Sequence, residues 1–274
     1  MIAAEAAPPA LPGARNLRLL LEYDGSDFVG WQRQAGLPTV QGALETALVA
    51  VLRAPLPRLS CAGRTDAGVH ALGQVVNFHL VHPMPARRLA PALNFYLPKS
   101  IRVHRSEEVA ARFDARLSAG SKLYTYQIYS GPHPPALDRQ RLWHLRARLD
   151  LAAMQAAARD LMGEHDFESF RHAHCDAQHA RRHMHGVQVR AEPRRPVGEL
   201  VTCQFHANAF CRHMCRILAG TLVEVGRGQR LAASMPALLA ARDRRQAGVT
   251  APARGLVLTE VYYKGESAAP PLLA

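Results

Sequence analysis

The spacing of apolar residues predicts strands and helices in turn along the first 120 residues. Residues 16–24 form a short, strongly apolar run that ends at Gly25, which favours a buried strand. The apolar positions of residues 40–52 recur at helical spacing after Thr39, a residue type that caps helix N-termini well. Apolar and polar residues alternate over residues 74–81, so this segment is expected to be a strand with one buried face.

The second part of the chain continues with strands separated by helices. Residues 122–130 are aromatic and β-prone, with Tyr124 and Tyr126 expected on one face and Tyr126 in the core. Asp150 is a candidate cap for a helix that continues to residue 162, where Gly163 is expected to stop it. The other expected elements are helices over 87–95, 212–227 and 235–242 and strands over 101–109, 187–191, 200–207 and 255–263.

This order of elements predicts an α+β fold. It lacks the regular βαβα alternation of a parallel sheet. We therefore expect two similar αβ halves, each with a mostly antiparallel sheet, whose sheets join. We expect an Ala/Pro-rich disordered extension over residues 1–15, an N-terminal half over 16–115, a C-terminal half over 116–264 and a tail over 265–274.

Composition adds a strong positive charge to this picture. The 34 Lys and Arg residues exceed the 22 Asp and Glu residues by 12, which favours a polyanionic partner such as nucleic acid. The alternative is that Arg simply replaces Lys in an Ala- and Arg-rich chain. No apolar run approaches the roughly 18 residues of a membrane span. The N-terminal residues lack the pattern of a signal peptide, so the cytoplasm is the expected location.

Cysteine and histidine residues raise the question of a metal site. The five cysteines are odd in number and none form a CxxC pair, so a disulfide framework is not expected. Two clusters of His and Cys residues raise the alternative of a structural zinc site. We expect no metal, because the side chains of residues 211–215 are predicted to point in different directions from one helix. Histidines near 172–185 are expected to contact RNA or solvent. The clusters consist of Cys203, His206, Cys211, His213 and Cys215, and of His172, His174, Cys175, His179, His183 and His185.

The segment 61–71, which reads CAGRTDAGVHA, carries the most chemical information. It places Asp66 between Arg64 and Gly68, and glycine lets the backbone approach a ligand closely. An anionic catalyst beside a cation is one interpretation. The other is a surface turn, since Thr, Asp and Gly favour turns.

Further blocks along the chain decide between these interpretations. The chain resembles the tRNA pseudouridine synthase A family from about Leu17 to Tyr263, and the block GRTDAGVHA is highly specific. The other matching blocks, in order, are YDGSDFVGWQ (23–32), TVQ (39–41), ARF (111–113), YTY (124–126), DFESFR (166–171), ANAF (207–210), MCR (214–216) and ARGLVL (253–258).

The resemblance implies a pseudouridine synthase fold with a central RNA-binding cleft. It implies isomerisation of uridine to pseudouridine at positions 38, 39 and 40 in the anticodon stem-loop of tRNA, with no cofactor. It also implies a homodimer in which one tRNA contacts both subunits. A non-catalytic tRNA-binding or folding module on the same scaffold is the alternative, and the intact segment 61–71 argues against it.

The resemblance assigns roles to four residues around the reaction. Asp66 matches the catalytic aspartate, and a carboxylate beside a cation is an anion at neutral pH and suited to be a nucleophile. Arg216 is expected to pair with it rather than to be an ordinary charge on a helix surface. Tyr124 matches the active-site tyrosine, whose ring would stack on uracil and whose hydroxyl could help to remove the proton from base carbon 5. Arg64 is expected to orient a phosphate or the flipped nucleotide rather than to form a structural pair.

Outer contacts are also implied. Asn208 and Phe210 are expected to shape the base pocket, although packing explains Phe210 equally well. The expected phosphate contacts are Arg171, Arg181 and Arg182. The chain departs from the family in three places: about four extra residues before Tyr124, the run QHA at 178–180, and Ile217 where Asn is common.

Overall fold

The computed structural model describes residues 13–265, which form ten strands and five α-helices. The expected extension over 1–15 and the tail over 265–274 therefore lie almost entirely outside the described residues. The first strand starts at Arg15. The elements of the first part are β1 (Arg15–Tyr23), α1 (Val40–Leu52), β2 (Ser60–Cys61), β3 (His70–Leu80), α2 (Ala86–Tyr96) and β4 (Ile101–Val109).

The second part contains the remaining strands and helices. They are β5 (Ala119–Ser130), β6 (Trp143–Leu145), α3 (Leu151–Arg159), β7 (Gly163–Asp166), β8 (Arg181–Pro193), β9 (Glu199–Ala207), α4 (Met214–Gly226), α5 (Met235–Ala241) and β10 (Leu256–Tyr263). Among residues 13–265, no helix combines the length and apolar character needed to cross a membrane.

All ten strands form one sheet. Its order is β4-β1-β3-β10-β5-β9-β8-β7, with β2 added to β3 and β6 added to β5. Pairing is antiparallel except between β10 and β3 and between β5 and β6. The expected mixture of helices with a mostly antiparallel sheet is confirmed. The last strand, β10, lies between β3 and β5, so it joins strands from the first and second parts of the chain.

Local signals explain the ends of the helices. The Thr39 hydroxyl accepts a hydrogen bond of 3.1 Å from the Gly42 amide, so the expected cap of α1 is confirmed. Asp150 caps α3 in the same way, through a bond of 3.0 Å from the Ala153 amide. Both caps satisfy amides that have no partner within the helix.

The core runs continuously through both parts of the chain. Alternate residues of β1 (Leu17, Leu19 and Leu21) are buried at 0–2% exposure in one apolar cluster with residues of α1 and β3. Full burial of each such side chain contributes about 1.5–3 kcal/mol. Tyr126 is fully buried and its hydroxyl donates to the Pro252 carbonyl at 2.7 Å, which confirms its expected place in the core.

Several expected boundaries were wrong. Helix α3 ends at Arg159 rather than residue 162, because residues 158–162 close into turns; Gly163, with φ of 94°, begins β7 instead of stopping the helix. Strand β8 extends far beyond residues 187–191, because its first half pairs with β7. The polar sequence RRHMH of that half conceals the alternation of buried and exposed positions, so it was not predicted. Helix α4 starts at Met214 rather than residue 212. The short strands β2, β6 and β7 were not predicted.

Candidate active site

Asp66 lies on the loop of residues 62–69 that joins β2 to β3, here called the Asp66 loop. The Val69 amide donates to the Asp66 carbonyl at 3.1 Å and closes a turn. The buried Thr65 hydroxyl shares a bond of 2.8 Å with the Tyr23 hydroxyl, and Gln74 Nε2 donates to the Gly63 carbonyl at 2.6 Å. Side chains of β1 and β3 therefore hold the backbone on the N-terminal side of Asp66.

A second loop, residues 24–31, packs directly against the Asp66 loop. The Trp31 amide donates to the Thr65 carbonyl at 3.0 Å, and the Gly68 amide donates to the Phe28 carbonyl at 3.2 Å. A Cβ on Gly25 would lie 2.0 Å from the Val69 carbonyl oxygen, closer than any real contact. The block YDGSDFVGWQ therefore lets the backbone of residues 24–31 pack directly against the Asp66 loop and fix its position.

We expect Gly25→Ala to lower catalytic activity by about 10²-fold, because the added methyl group must push the Asp66 loop away and displacement by about 1 Å has effects of that size. Turnover and thermal unfolding of the variant check this expectation. Gly120→Ala is the matched control, since its Cβ would meet its nearest neighbour at an ordinary 3.6 Å. Equal activity in the two variants would contradict it.

Arg216 contacts the Asp66 carboxylate from a distant part of the chain. Its Nη1 atom donates to Asp66 Oδ2 at 3.2 Å, and its Nε atom donates to the Ala251 carbonyl at 2.8 Å. The two side chains are 15% and 24% exposed, so the ion pair is mostly shielded but open to solvent on one side. The bond to Ala251 fixes the guanidinium, which makes this a well-positioned pair.

His213 is a second neighbour of the same oxygen, although the sequence had suggested it only as a member of a His/Cys cluster and not as a neighbour of Asp66. Its Nε2 atom lies 3.4 Å from Asp66 Oδ2, within the reach of an ion pair. His213 has a left-handed backbone with φ of 62° immediately before α4, so the helix starts after it. Burial lowers the pKa of His213, while the charge of Asp66 acts in the opposite direction. The feature of the sequence that could have pointed to His213 is its position three residues before Arg216.

Tyr124 and Phe210 form an aromatic wall beside the Asp66 loop. Their rings meet edge to face, with centroids 5.1 Å apart and planes at 81°. A Cβ on Gly63 would lie 3.5 Å from the Tyr124 hydroxyl, so this hydroxyl lies close to the start of the loop. Burial raises the pKa of Tyr124 well above its ordinary value, and nearby groups including Cys215 and Asp66 raise it further. Tyr124 is therefore a neutral phenol at physiological pH.

Arg64 and Asn208 are both exposed but differ in their contacts. Asn208 Oδ1 accepts a bond of 3.1 Å from the His183 amide, which fixes the start of the segment that leads to Phe210. Across residues 13–265, the Arg64 side chain forms no ion pair or hydrogen bond. Its guanidinium is therefore available to a ligand.

The three arginines expected at phosphates have different surroundings. Arg171 Nε donates to Glu168 Oε1 at 3.0 Å, and its Nη1 atom donates to the Ala177 carbonyl at 2.9 Å. Arg182 is only 8% exposed and its Nη1 atom donates to the His179 carbonyl at 3.0 Å. Arg181 is exposed, because neighbouring residues of a strand point to opposite faces. Arg171 and Arg182 thus support the loop between β7 and β8.

The cysteines are all free thiols, and Cys203, Cys211 and Cys215 are buried. Within the described range, no three His, Cys, Asp or Glu side chains are arranged to hold a metal ion. Burial raises the pKa of Cys203 to about 12 and that of Cys211 to about 11, so these thiols are protonated and behave as apolar residues.

Sequence similarity places this fold in an enzyme class that modifies tRNA. The sequence profile of a family described as tRNA pseudouridine synthase matches residues 20–117 and 157–264. The chain belongs to this family, whose members are isomerases.

Three relatives named tRNA pseudouridine synthase A show how far the similarity extends. The protein of Geotalea uraniireducens is 41% identical over 249 residues, which cover 91% of this chain and 100% of the relative. That of Caulobacter vibrioides is 44% identical over 247 residues, with 90% and 98% covered. That of Myxococcus xanthus is 42% identical over 248 residues, with 90% and 92% covered. A solved structure of an unknown protein from Galdieria sulphuraria is 8% identical, with 77% of this chain and 91% of that chain covered. Its TM-score of 0.21 is too low to indicate a shared fold.

Proposed function

We propose that this chain isomerises uridine to pseudouridine at positions 38, 39 and 40 in the anticodon stem-loop of tRNA, with Asp66 as the nucleophile. The observation that carries the proposal is the ion pair between Asp66 Oδ2 and Arg216, because Asp66 lies in the highly specific block GRTDAGVHA. Arg216 holds the carboxylate in a fixed orientation. Among residues 13–265, no donor contacts the other oxygen, Oδ1, which is therefore the oxygen offered to the nucleotide.

The reaction rearranges bonds without changing the formula of the nucleotide. The bond between N1 and C1′ breaks, a bond between C5 and C1′ forms, C5 loses a proton and N1 gains one. No oxidant, reductant or group donor is needed, which fits the expectation of no cofactor. Attack on the ribose, attack on the base and assistance to elimination would all use a carboxylate oxygen that faces the nucleotide, and we assign Asp66 Oδ1 to that position.

The aromatic wall suits a base that has left its stack. An enzyme that acts on a base inside an RNA helix must extrude it, and stacking on a side chain offsets about 1–3 kcal/mol of that cost. Tyr124 supplies the ring and Phe210 holds that ring edge to face. Burial keeps the Tyr124 hydroxyl protonated. We therefore assign Tyr124 mainly to stacking on the base and to hydrogen bonding, and give it only a secondary part in removing the proton from C5.

Binding of the tRNA body follows from the positive charge. We assign Arg181 to a phosphate and Arg64 to a phosphate or the flipped nucleotide, because both side chains are exposed. Arg171, Arg182 and Asn208 bond to atoms of residues 168–183, and we assign them to supporting this segment, which carries Arg181. We further propose two similar αβ halves, residues 16–115 and 116–264, on either side of a central cleft. A cytoplasmic homodimer whose two subunits contact one tRNA completes the proposal.

A release assay tests the function directly. Purified protein is incubated with tRNA transcripts labelled with tritium at C5 of uridine, because formation of pseudouridine expels that atom. We expect release from transcripts with uridine at position 38, 39 or 40 and none when cytidine replaces all three. Binding that weakens steeply with salt, without any release, would instead support the non-catalytic tRNA-binding module.

A further inference from the structure

His213 occupies an unusual position at the carboxylate. It shares Asp66 Oδ2 with Arg216, at 3.4 Å and 3.2 Å respectively. Its left-handed φ of 62° is unfavourable for a residue with a Cβ, and such backbone strain persists where the surroundings impose it, often at functional sites. The strained residue therefore stands directly at the reacting group.

The surroundings of His213 hold its ring in place. The ring of His172 meets it edge to face, with centroids 4.4 Å apart, and the His172 amide donates to the Arg212 carbonyl at 3.2 Å. The Ile217 amide donates to the His213 carbonyl at 3.0 Å and links the backbone of His213 to α4. With 17% of its side chain exposed, His213 has contacts on several sides.

We propose that His213 is a positioning residue for Asp66, whose neutral imidazole presents Nε2–H to Oδ2 and, with Arg216, turns Oδ1 toward the nucleotide. This rests on the proposed function, in which Asp66 is the nucleophile. The distance of 3.4 Å is long for a hydrogen bond, and contacts of this kind tighten when substrate binds. A charged imidazolium would instead add a second cation beside the carboxylate and weaken it as a nucleophile.

The charges around His213 favour the neutral form. Burial is the largest effect and lowers its pKa, the cations Arg216 and Arg212 and the ring of His172 lower it further, and only Asp66 raises it. The folded pKa therefore lies below the ordinary value of about 6.5. Activity that depends on neutral His213 is complete near pH 7.5 and falls as the pH drops through that lowered pKa.

Two substitutions separate positioning from a structural role. His213→Gly removes the imidazole and relieves the left-handed strain, so the variant is expected to be at least as stable as the wild type. His213→Gln keeps an N–H donor that cannot be protonated. His104→Gln is the matched control, because His104 is exposed on the edge strand β4.

Single-turnover tritium release is measured from pH 5 to 9 with tRNA affinity and thermal unfolding in parallel. We expect His213→Gly to lower the rate at pH 7.5 by about 10- to 100-fold with unchanged tRNA affinity. We expect His213→Gln to recover most of that rate and to lose the acid limb that the wild type and the control retain. A wild-type rate in His213→Gly, or an unchanged acid limb without recovery in His213→Gln, would overturn the proposal. No release by the wild type would instead reject the proposed function.

Discussion

Asp66→Asn is expected to lower the rate of pseudouridine formation by at least about 10⁴-fold, the scale seen when an enzyme loses its nucleophile. The amide has nearly the same volume as the carboxylate but no charge and little nucleophilicity. Arg216 Nη1 can still donate to the amide oxygen, so the fold and the Asp66 loop should remain intact. Tritium release under single-turnover conditions measures the loss.

The control for this substitution is Asp160→Asn at the end of α3, which makes the same chemical change away from the Asp66 loop. It should retain wild-type activity. Binding of tRNA to the Asp66→Asn protein should change by less than about threefold, because basic side chains rather than the Asp66 carboxylate are expected to contact the phosphates. More than one hundredth of the wild-type rate in Asp66→Asn would exclude a nucleophilic role.

Arg216→Lys is expected to lower turnover by about 10²- to 10³-fold, even though the positive charge is kept. The guanidinium of Arg216 bonds to Asp66 Oδ2 and to the Ala251 carbonyl at the same time. One ammonium group cannot reproduce that fixed fork, so the carboxylate loses its orientation. The freed Ala251 carbonyl adds a stability cost of about 1–3 kcal/mol.

Arg227→Lys provides the comparison for Arg216→Lys. Arg227 is exposed at the C-terminal end of α4 and lies far along the helix from Asp66. Turnover and the midpoint of urea unfolding should both stay at wild-type values in this variant. If Arg216→Lys also retained full turnover, the fixed geometry of the ion pair would be irrelevant to catalysis.

Elements with strong local signals were predictable. Thr39 and the helical spacing of apolar residues located α1 at its observed bounds, and β4 likewise begins and ends where expected. Elements without such signals were missed. Strand β2 has only two residues and β7 has the polar sequence GEHD, so neither shows the alternation that predicts a strand. They are strands because they pair with β3 and β8. The start of α4 depended on the backbone of His213, which the chemistry of its side chain does not reveal.

The sequence by itself determined the family, the mostly antiparallel α+β architecture and the importance of Asp66, because these follow from local residue patterns and from short blocks that occur in order along the chain. Only the tertiary structure decided what surrounds that carboxylate. Arg216 and His213 approach it from about 150 residues away, and Gly25 brings a third segment against its loop. The structure also separated exposed Arg181 from buried Arg182. Contacts between distant segments depend on how the sheet and helices pack, and no local periodicity carries that information.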